Sequence, residues 1–310
     1  MPRRHTTLQC FLSRGWGIDQ DIEQAIKWYK VAAAGGVTAA QIHLGKRWST
    51  GDSIARDWQQ AADWLAKGSD GGDPEAKSAL ALLHLQADGP MRNPGRAQEL
   101  LKEAAGQGYS PAALQLALLY SGRYGLEADH ARAAEWYRKA AETGNADAQC
   151  ALGMMLLNGT GIPADPGEAA GWIEKAAHSD HVPAQFQLAV MFCTGQGVPK
   201  DLAQGVVWYE LAAHSGHGIA QYNLAIMLSK GQGCEPDLGK SVHFLRLAAE
   251  QGIPEAQLAL ANVYQTGQGV PRDEALARRW YGEAARKGNE TAAKILNRLA
   301  PKASPTAERA

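Results

Sequence analysis

The sequence contains few cysteines, and no two of them lie close together. Cys10, Cys150, Cys193 and Cys234 are widely separated and show no CxxC spacing. A disulfide framework or a structural zinc site needs cysteines at closer, recurring intervals. We therefore interpret these residues as small, mostly buried apolar side chains in a protein of a reducing compartment.

Long apolar runs are also absent. No window approaches the roughly 18 uninterrupted apolar residues of a membrane span, and the first residues lack the apolar run of a signal peptide, about 7 to 15 residues long. We expect a soluble chain without a membrane span. A cytoplasmic location is favoured, and a periplasmic one stays open if the natural precursor is longer.

The charges of the chain balance almost completely. Lys and Arg total 31, Asp and Glu total 32, and the formal net charge is -1. No overall positive field exists to attract a phosphate backbone. The composition therefore argues against nucleic acid as the partner.

Sequence motifs of common enzyme classes are missing. The chain has no GxSxG elbow, no HExxH helix and no GxxxxGK[ST] loop. Its glycine pairs connect two helical patterns, whereas a dinucleotide-binding fingerprint follows a strand. These absences predict a protein that is not an enzyme and holds no cofactor.

Instead, the chain repeats itself every 36 residues. A bulky side chain recurs in segments such as WYKVAA, WYRKAA and WYELAA. Such self-similarity indicates a repeat architecture. The recurring bulky residues, here called the marker aromatics although one is leucine, are Trp28, Trp64, Leu100, Trp136, Trp172, Trp208, Phe244 and Trp280.

An alanine follows each marker aromatic by twelve residues, and a leucine follows the alanine by four. We call these the marker alanines and marker leucines. One period earlier the same pattern gives Arg4 in the alanine position and Leu8 in the leucine position. Repeats therefore start near residues 4, 40, 76, 112, 148, 184, 220 and 256. The marker alanines are Ala40, Ala76, Ala112, Ala148, Ala184, Ala220, Ala256 and Ala292; the marker leucines are Leu44, Leu80, Leu116, Leu152, Leu188, Leu224, Leu260 and Leu296.

Each unit is predicted to contain two helices. The segment 148–157 has apolar residues at i, i+4, i+7 and i+8, the spacing of one helix face. A glycine pair such as Gly195 and Gly197 then ends the first helix, because glycine adopts left-handed backbone angles without strain. Asp165, Asp201 and their equivalents Asp237 and Asp273 are predicted to cap the second helix.

The small and large residues of the pattern suggest different roles in packing. We expect the marker alanines to let helices approach closely, and the tryptophans to fill the gaps between neighbouring helix pairs. The segment 292–300 is predicted to be a polar terminal cap helix, and residues 301–310 a disordered tail.

With its fixed Ala, Leu-Gly, Gly-x-Gly, Asp and Trp-Tyr positions, the pattern resembles the Sel-1-like repeat, a relative of the tetratricopeptide repeat. The segment AQFQLAVMFCTGQGVPKDLAQGVVWYELAAHSGH matches it well. The resemblance implies an all-α fold, a right-handed α/α superhelical solenoid of about eight repeats that occupies residues 1–300 as one domain. It also implies a non-enzymatic scaffold or adaptor.

In tetratricopeptide arrays, the first helix of each pair forms most of the concave wall. Transferred to this chain, wall positions lie two, six and nine residues after each marker alanine. This apolar track would suit an amphipathic helix or an extended peptide; the alternative is that superhelical curvature buries it as ordinary core. The predicted binding positions are Leu114, Leu118, Cys150, Met154, Leu157, Phe186, Val190, Tyr222, Ile226 and Leu258.

Two further hypotheses are weaker. His178, His181, His214 and His217 recur one period apart and are a minor candidate for a transition-metal site, with exposed structural residues as the simpler interpretation. Cysteine-rich relatives suggest peptidoglycan-peptide binding or weak hydrolase activity as an alternative function, although their paired cysteines are absent here. We expect an unidentified protein or peptide partner, and a monomer or weak homo-oligomer.

Overall fold

The computed structural model describes residues 22–299, except Ser53. This part of the chain contains sixteen α-helices, one short 3₁₀-helix at Gly89–Met91 and no strand. The predicted all-α fold class is confirmed, and the described chain is a solenoid of helix pairs. The expectations for Arg4, Leu8, Cys10 and the tail at 301–310 lie outside the described residues.

The helices alternate between two kinds. We call the first helix of each repeat the A helix and the second the B helix. The A helices are α2 Thr38–Thr50, α4 Pro74–Gln86, α6 Ser110–Tyr120, α8 Ala146–Asn158, α10 Val182–Thr194, α12 Gly218–Lys230, α14 Pro254–Thr266 and α16 Glu290–Leu299. The B helices are α1 Ile22–Ala34, α3 Trp58–Asp70, α5 Pro94–Gly106, α7 His130–Glu142, α9 Pro166–His178, α11 Leu202–His214, α13 Leu238–Glu250 and α15 Glu274–Arg286.

Both kinds of helix start at intervals of 36 residues, as the sequence period predicts. The A helices begin two residues before the marker alanines, so the cap helix α16 also starts earlier than expected. The reason is capping: the marker alanine is the third helical residue, and its N–H needs a partner outside the helix. Asp73 and Asn145 provide that partner for Ala76 and Ala148, with N···O distances of 2.9 and 2.8 Å.

The B helices are capped as the sequence predicts. The Asp165 carboxylate accepts the N–H of Glu168 at 2.9 Å, and Pro166 occupies the first turn. Carboxylates at Asp201, Asp237 and Asp273 make the equivalent bonds. An aspartate caps six of the B helices in this way, and Asn93 caps α5.

Contacts between residues divide the chain into two compact units. Unit 1 comprises residues 1–148 and 159–163, and unit 2 comprises residues 149–158 and 164–310. In unit 1, each of the helices α1 to α6 packs on the next one along the chain. In unit 2, the same is true of the helices from α9 to α16. Neighbouring helices therefore form the core of each unit.

Small residues form the closest helix contacts. All eight marker alanines are fully buried, at 0% exposure. A Cβ on Gly68, which lies in a B helix, would come within 2.8 Å of the Cβ of Ala76 in the next A helix. The residue equivalent to Gly68 is alanine in the other seven repeats, so a small side chain meets a small side chain at each junction.

The glycine pairs provide a second close contact within each unit. Gly195 and Gly197 have φ values of 79° and 75°, the left-handed conformation that favours glycine. A Cβ on Gly197 would overlap the carbonyl group of Pro166 in the preceding B helix, and one on Gly233 would overlap Leu202 in the same way. The second glycine of the pair is therefore required for neighbouring repeats to approach.

Buried glutamines link four of the A helices to the B helix before them. The Nε2 groups of Gln41, Gln185, Gln221 and Gln257 donate to backbone carbonyls eight residues earlier, at 3.0–3.3 Å. These carbonyls belong to the last turn of a B helix, where no partner within the helix is available. The carbonyls of Ala33, Ala213 and Ala249 also accept a backbone N–H from the following turn, so the glutamine provides a second hydrogen bond at the helix end.

Five of the marker tryptophans are less buried than expected, although Trp64 packs against the core formed by α1 and α2 as predicted. Trp28 is 36% exposed, and Trp64, Trp136, Trp172 and Trp280 are only half-buried. The residue that follows the marker is buried in every repeat, and Ile173 is 0% exposed. Two neighbouring residues on a helix point about 100° apart, and the second of them faces the core. The eight buried residues are Tyr29, Leu65, Leu101, Tyr137, Ile173, Tyr209, Leu245 and Tyr281.

Among the described residues, no helix combines the length and hydrophobicity needed to cross a bilayer.

The unequal burial of Trp172 and Ile173 predicts unequal effects of mutation at these two positions. Ile173→Ala should lower the free energy of unfolding by about 2–5 kcal/mol, because it removes fully buried atoms and leaves a cavity. Trp172→Ala is the matched control and should cost less, since water already reaches its ring. Urea unfolding followed by circular dichroism compares the two. A larger loss for Trp172→Ala would contradict the proposed order of burial.

Candidate functional site

The predicted binding positions lie on the side of the A helices opposite the marker alanines. Offsets of two, six and nine residues correspond to rotations of roughly 180–240° at about 100° per residue. We call this side the A face. Leu157 is buried, at 9% exposure, and offers little surface. The other nine positions are half-buried: Leu114, Leu118, Cys150, Met154, Phe186, Val190, Tyr222, Ile226 and Leu258.

The two units contribute unequally to the A face. Leu114 and Leu118 lie on α6 of unit 1, and the other eight predicted residues belong to unit 2. Tyr222 and Ile226 line one cleft of unit 2. The ring of Phe186 lies 5.9 Å, between centroids, from that of Tyr209, which also lines this cleft. This cleft of the A face thus lies in unit 2.

We call this feature the Tyr222 cleft. It has a volume of about 450 Å³, within the range of about 300–1,000 Å³ that is usual for ligand pockets. It is formed by the C-terminal end of α10, the loop after it, α11, α12 and the loop after α12. The lining residues are Cys193, Lys200, Leu202, Tyr209, Tyr222, Asn223, Ile226, Met227 and Gln232.

Polar groups occupy defined positions in the cleft. The amide Nδ2 of Asn223 donates to the hydroxyl of Tyr209 at 3.1 Å. Burial raises the pKa of Tyr209 to about 12, so its hydroxyl keeps its proton at neutral pH. Burial also raises the pKa of Tyr222. The two phenols are therefore hydrogen-bond donors in this cleft.

Cys193 contributes soft, apolar character. Its thiol lies 3.9 Å from the sulfur of Met227, and a Cβ on Gly205 would overlap the Cys193 sulfur. Burial raises the pKa of the Cys193 thiol, which is the opposite of what a nucleophilic cysteine requires. The cleft can thus bind an apolar group and offer it hydrogen bonds, but its thiol is held in the protonated form.

Several lining residues did not emerge from the sequence. Cys193 lies nine residues after the marker alanine Ala184, which is one of the predicted wall positions. The spacing could therefore have identified it. Tyr209 comes from a B helix, directly after a marker tryptophan. Lys200 lies in the loop between α10 and α11. Spacing from the marker alanines describes only the A helices, so it cannot predict lining residues from B helices or loops.

The four histidines of the minor metal hypothesis have two separate structural roles. His178 and His214 place their rings edge-on to Trp208 and Phe244, at centroid distances of 5.1 and 5.5 Å. The other two, His181 and His217, cap helices. Among the described residues, no group of three or more His, Cys, Asp or Glu side chains is placed to hold a metal ion.

His181 and His217 cap the A helices α10 and α12. Their Nδ1 atoms accept the N–H groups of the marker alanines Ala184 and Ala220, at 3.2 and 3.1 Å. An Nδ1 that accepts a hydrogen bond carries no proton, so both caps need a neutral imidazole with its proton on Nε2. The ring of His217 also stacks on Phe186 at 4.5 Å.

The His217 cap predicts a pH dependence of stability. Burial lowers the pKa of His217 below its ordinary value of 6.5, so the unfolded chain binds the proton more readily than the folded chain. The stabilisation is complete above about pH 6.5 and is lost as the pH falls toward the lower folded pKa. His217→Asn keeps a capping side chain that does not titrate.

Urea unfolding at about pH 8 and about pH 5 tests this cap. The wild-type chain should lose about 1 kcal/mol more than His217→Asn between the two conditions, the typical contribution of one cap. Comparison with the variant removes the contributions of the other histidines, including His43, whose pKa is also lowered by burial. Identical losses in the two proteins would show that His217 does not contribute through protonation.

The division of the chain into 36-residue helix pairs agrees with a comparison with known protein families. Eight copies of the Sel1 repeat match residues 10–37, 38–73, 74–109, 110–145, 146–181, 182–217, 218–253 and 254–289. From 38 onward, the matched copies begin at the first residue of each A helix, the positions seen in the structure. A comparison with curated proteins finds no significant match.

Two solved structures are similar over most of this chain. One is c5321 of uropathogenic Escherichia coli, a protective antigen that displays an SLR fold; it has 30% sequence identity and a TM-score of 0.83 over 96% of this chain. The chain spans 64% of the length of that relative. The other is a Sel1 repeat protein from Oxalobacter formigenes, with 29% identity and a TM-score of 0.74 over 96% of this chain and 86% of that protein. The chain belongs to the Sel1-repeat family.

Proposed function

We propose that the chain is a non-enzymatic scaffold or adaptor that binds a peptide or a partner protein on the A face. Sel1-repeat proteins generally mediate protein–protein interactions. The observation that carries the proposal for this chain is the half-exposed apolar track on the A helices of unit 2. The central residues of this track are Phe186, Val190, Tyr222, Ile226 and Leu258.

The regular spacing of these residues supports the proposal. Phe186 and Tyr222 occupy the same position in adjacent repeats, and so do Val190 and Ile226. Contiguous apolar surface with polar edges is typical of interaction sites, and aromatic side chains are enriched among the residues that contribute most to binding. The Tyr222 cleft adds a recess into which a side chain of the partner would fit.

The chemistry of the cleft favours binding over catalysis. Its phenol and thiol groups, on Tyr209 and Cys193, have raised pKa values because of burial. Both groups are therefore protonated at neutral pH and suited to donating hydrogen bonds. A nucleophile would need a lowered pKa or an adjacent base.

A pair of matched variants tests the proposed face. Tyr222→Glu with Ile226→Glu places charges in the cleft. The control, Val207→Glu with Leu211→Glu, places charges at the same spacing on α11, where the two side chains are 49% and 44% exposed. Affinity capture with the wild-type chain and mass spectrometry would identify a partner, and calorimetry with the purified partner would then give each affinity.

The cleft variant should bind that partner at least about 30-fold more weakly, as expected when central contact residues are lost. The control should keep its affinity, and circular dichroism should show the same helicity for both variants. A loss of affinity in the control, with full affinity in the cleft variant, would place the interaction on the B helices and overturn the proposal.

A further inference from the structure

The Tyr222 cleft has an unequal distribution of charge. Lys200 is the only charged residue among the nine that line it. Lys200 is exposed and, within the described part of the chain, has no ion-pair partner. Its positive charge therefore faces the cleft without a neutralising carboxylate.

A carboxylate that is not part of the cleft lining acts on one of its residues. The carboxylate of Glu255 acts electrostatically on Tyr222 and, after burial, is the second cause of the raised pKa of that phenol. A negatively charged ligand group would be repelled near Tyr222 and attracted near Lys200. An acidic group of an occupant is therefore favoured beside Lys200.

Besides Lys200, the cleft offers apolar walls and hydrogen-bond donors. Leu202, Ile226 and Met227 provide the walls. The Tyr209 oxygen already accepts a hydrogen bond from Asn223, so its own hydrogen can point to a ligand acceptor such as a peptide carbonyl. A bulky apolar side chain and the peptide group next to it match this combination.

We infer that the Tyr222 cleft binds an internal, extended peptide segment in which an acidic side chain lies close to a bulky apolar one. The apolar side chain fills the recess between Tyr222 and Met227, and the carboxylate pairs with Lys200. The A face continues past the cleft, to Phe186 on α10 and Leu258 on α14. A segment that runs through the cleft fits this surface better than a chain end. The inference rests on the proposed function.

Defined peptides test the inference directly. Fluorescein-labelled, C-terminally amidated probes would share a Leu-Phe core in a Ser-Gly background. Acidic, neutral or basic residues would stand before or after the core in separate probes. A further neutral probe would end directly after the core with a free carboxylate. Fluorescence polarisation at about 50 mM salt, where screening is moderate, would measure binding to the full chain.

The better of the two acidic probes should bind about threefold more tightly than the neutral probe, as expected for one exposed ion pair. The basic probes should bind about threefold more weakly than the neutral one. Lys200→Gln should abolish this ranking, Lys200→Glu should reverse it, and Lys200→Arg should retain it. The matched control Lys230→Gln removes an exposed lysine of α12 outside the cleft and should change nothing.

The outcomes separate this inference from the proposed function. If the probes bind but show no preference for acidic residues, or if the preference survives Lys200→Gln, the inference is wrong and binding to the A face stands. Tighter binding of the free-carboxylate probe would also overturn it, in favour of a chain end. If no probe binds, and the variants at Tyr222 and Ile226 do not affect a protein partner, the proposed function fails as well.

Discussion

The fold depends on small residues that meet where one helix pair joins the next. Each marker alanine is completely buried in the first turn of an A helix, and in seven of the eight repeats the facing residue of the preceding B helix is also alanine. Helices that meet through such residues approach more closely than helices that meet through large side chains. Because this contact sets the separation of neighbouring helices, the glutamine bonds and the larger core residues can recur in equivalent positions.

Features governed by local chemistry could be predicted from the sequence. The aspartate caps followed from the affinity of a carboxylate for free helix N–H groups, and the glycine turns followed from the backbone angles of glycine. The histidine caps did not, because histidine is not among the preferred capping residues. The sequence pattern also gave no way to tell whether Trp172 or Ile173 faces the core, since both are apolar neighbours on one helix.

The candidate site was predicted only where it depends on helix periodicity. Tyr222 and Ile226 lie on the A face because their spacing from Ala220 fixes their direction. The Tyr222 cleft also needs Tyr209 from a B helix and Lys200 from a loop. Their positions depend on how three consecutive segments pack, and a pattern within one helix contains no information about that packing. Leu157 shows the same limit, since it follows the spacing rule and is buried all the same.

The contact made by the second glycine of each pair has a consequence for the evolution of such chains. Gly197 and Gly233 each abut the start of the preceding B helix in an equivalent way, so the junctions on the two sides of a repeat are interchangeable. An in-frame duplication or deletion of 36 residues would join two surfaces that already fit. The length of the array can therefore change by whole repeats through recombination, without new packing having to arise at the seam.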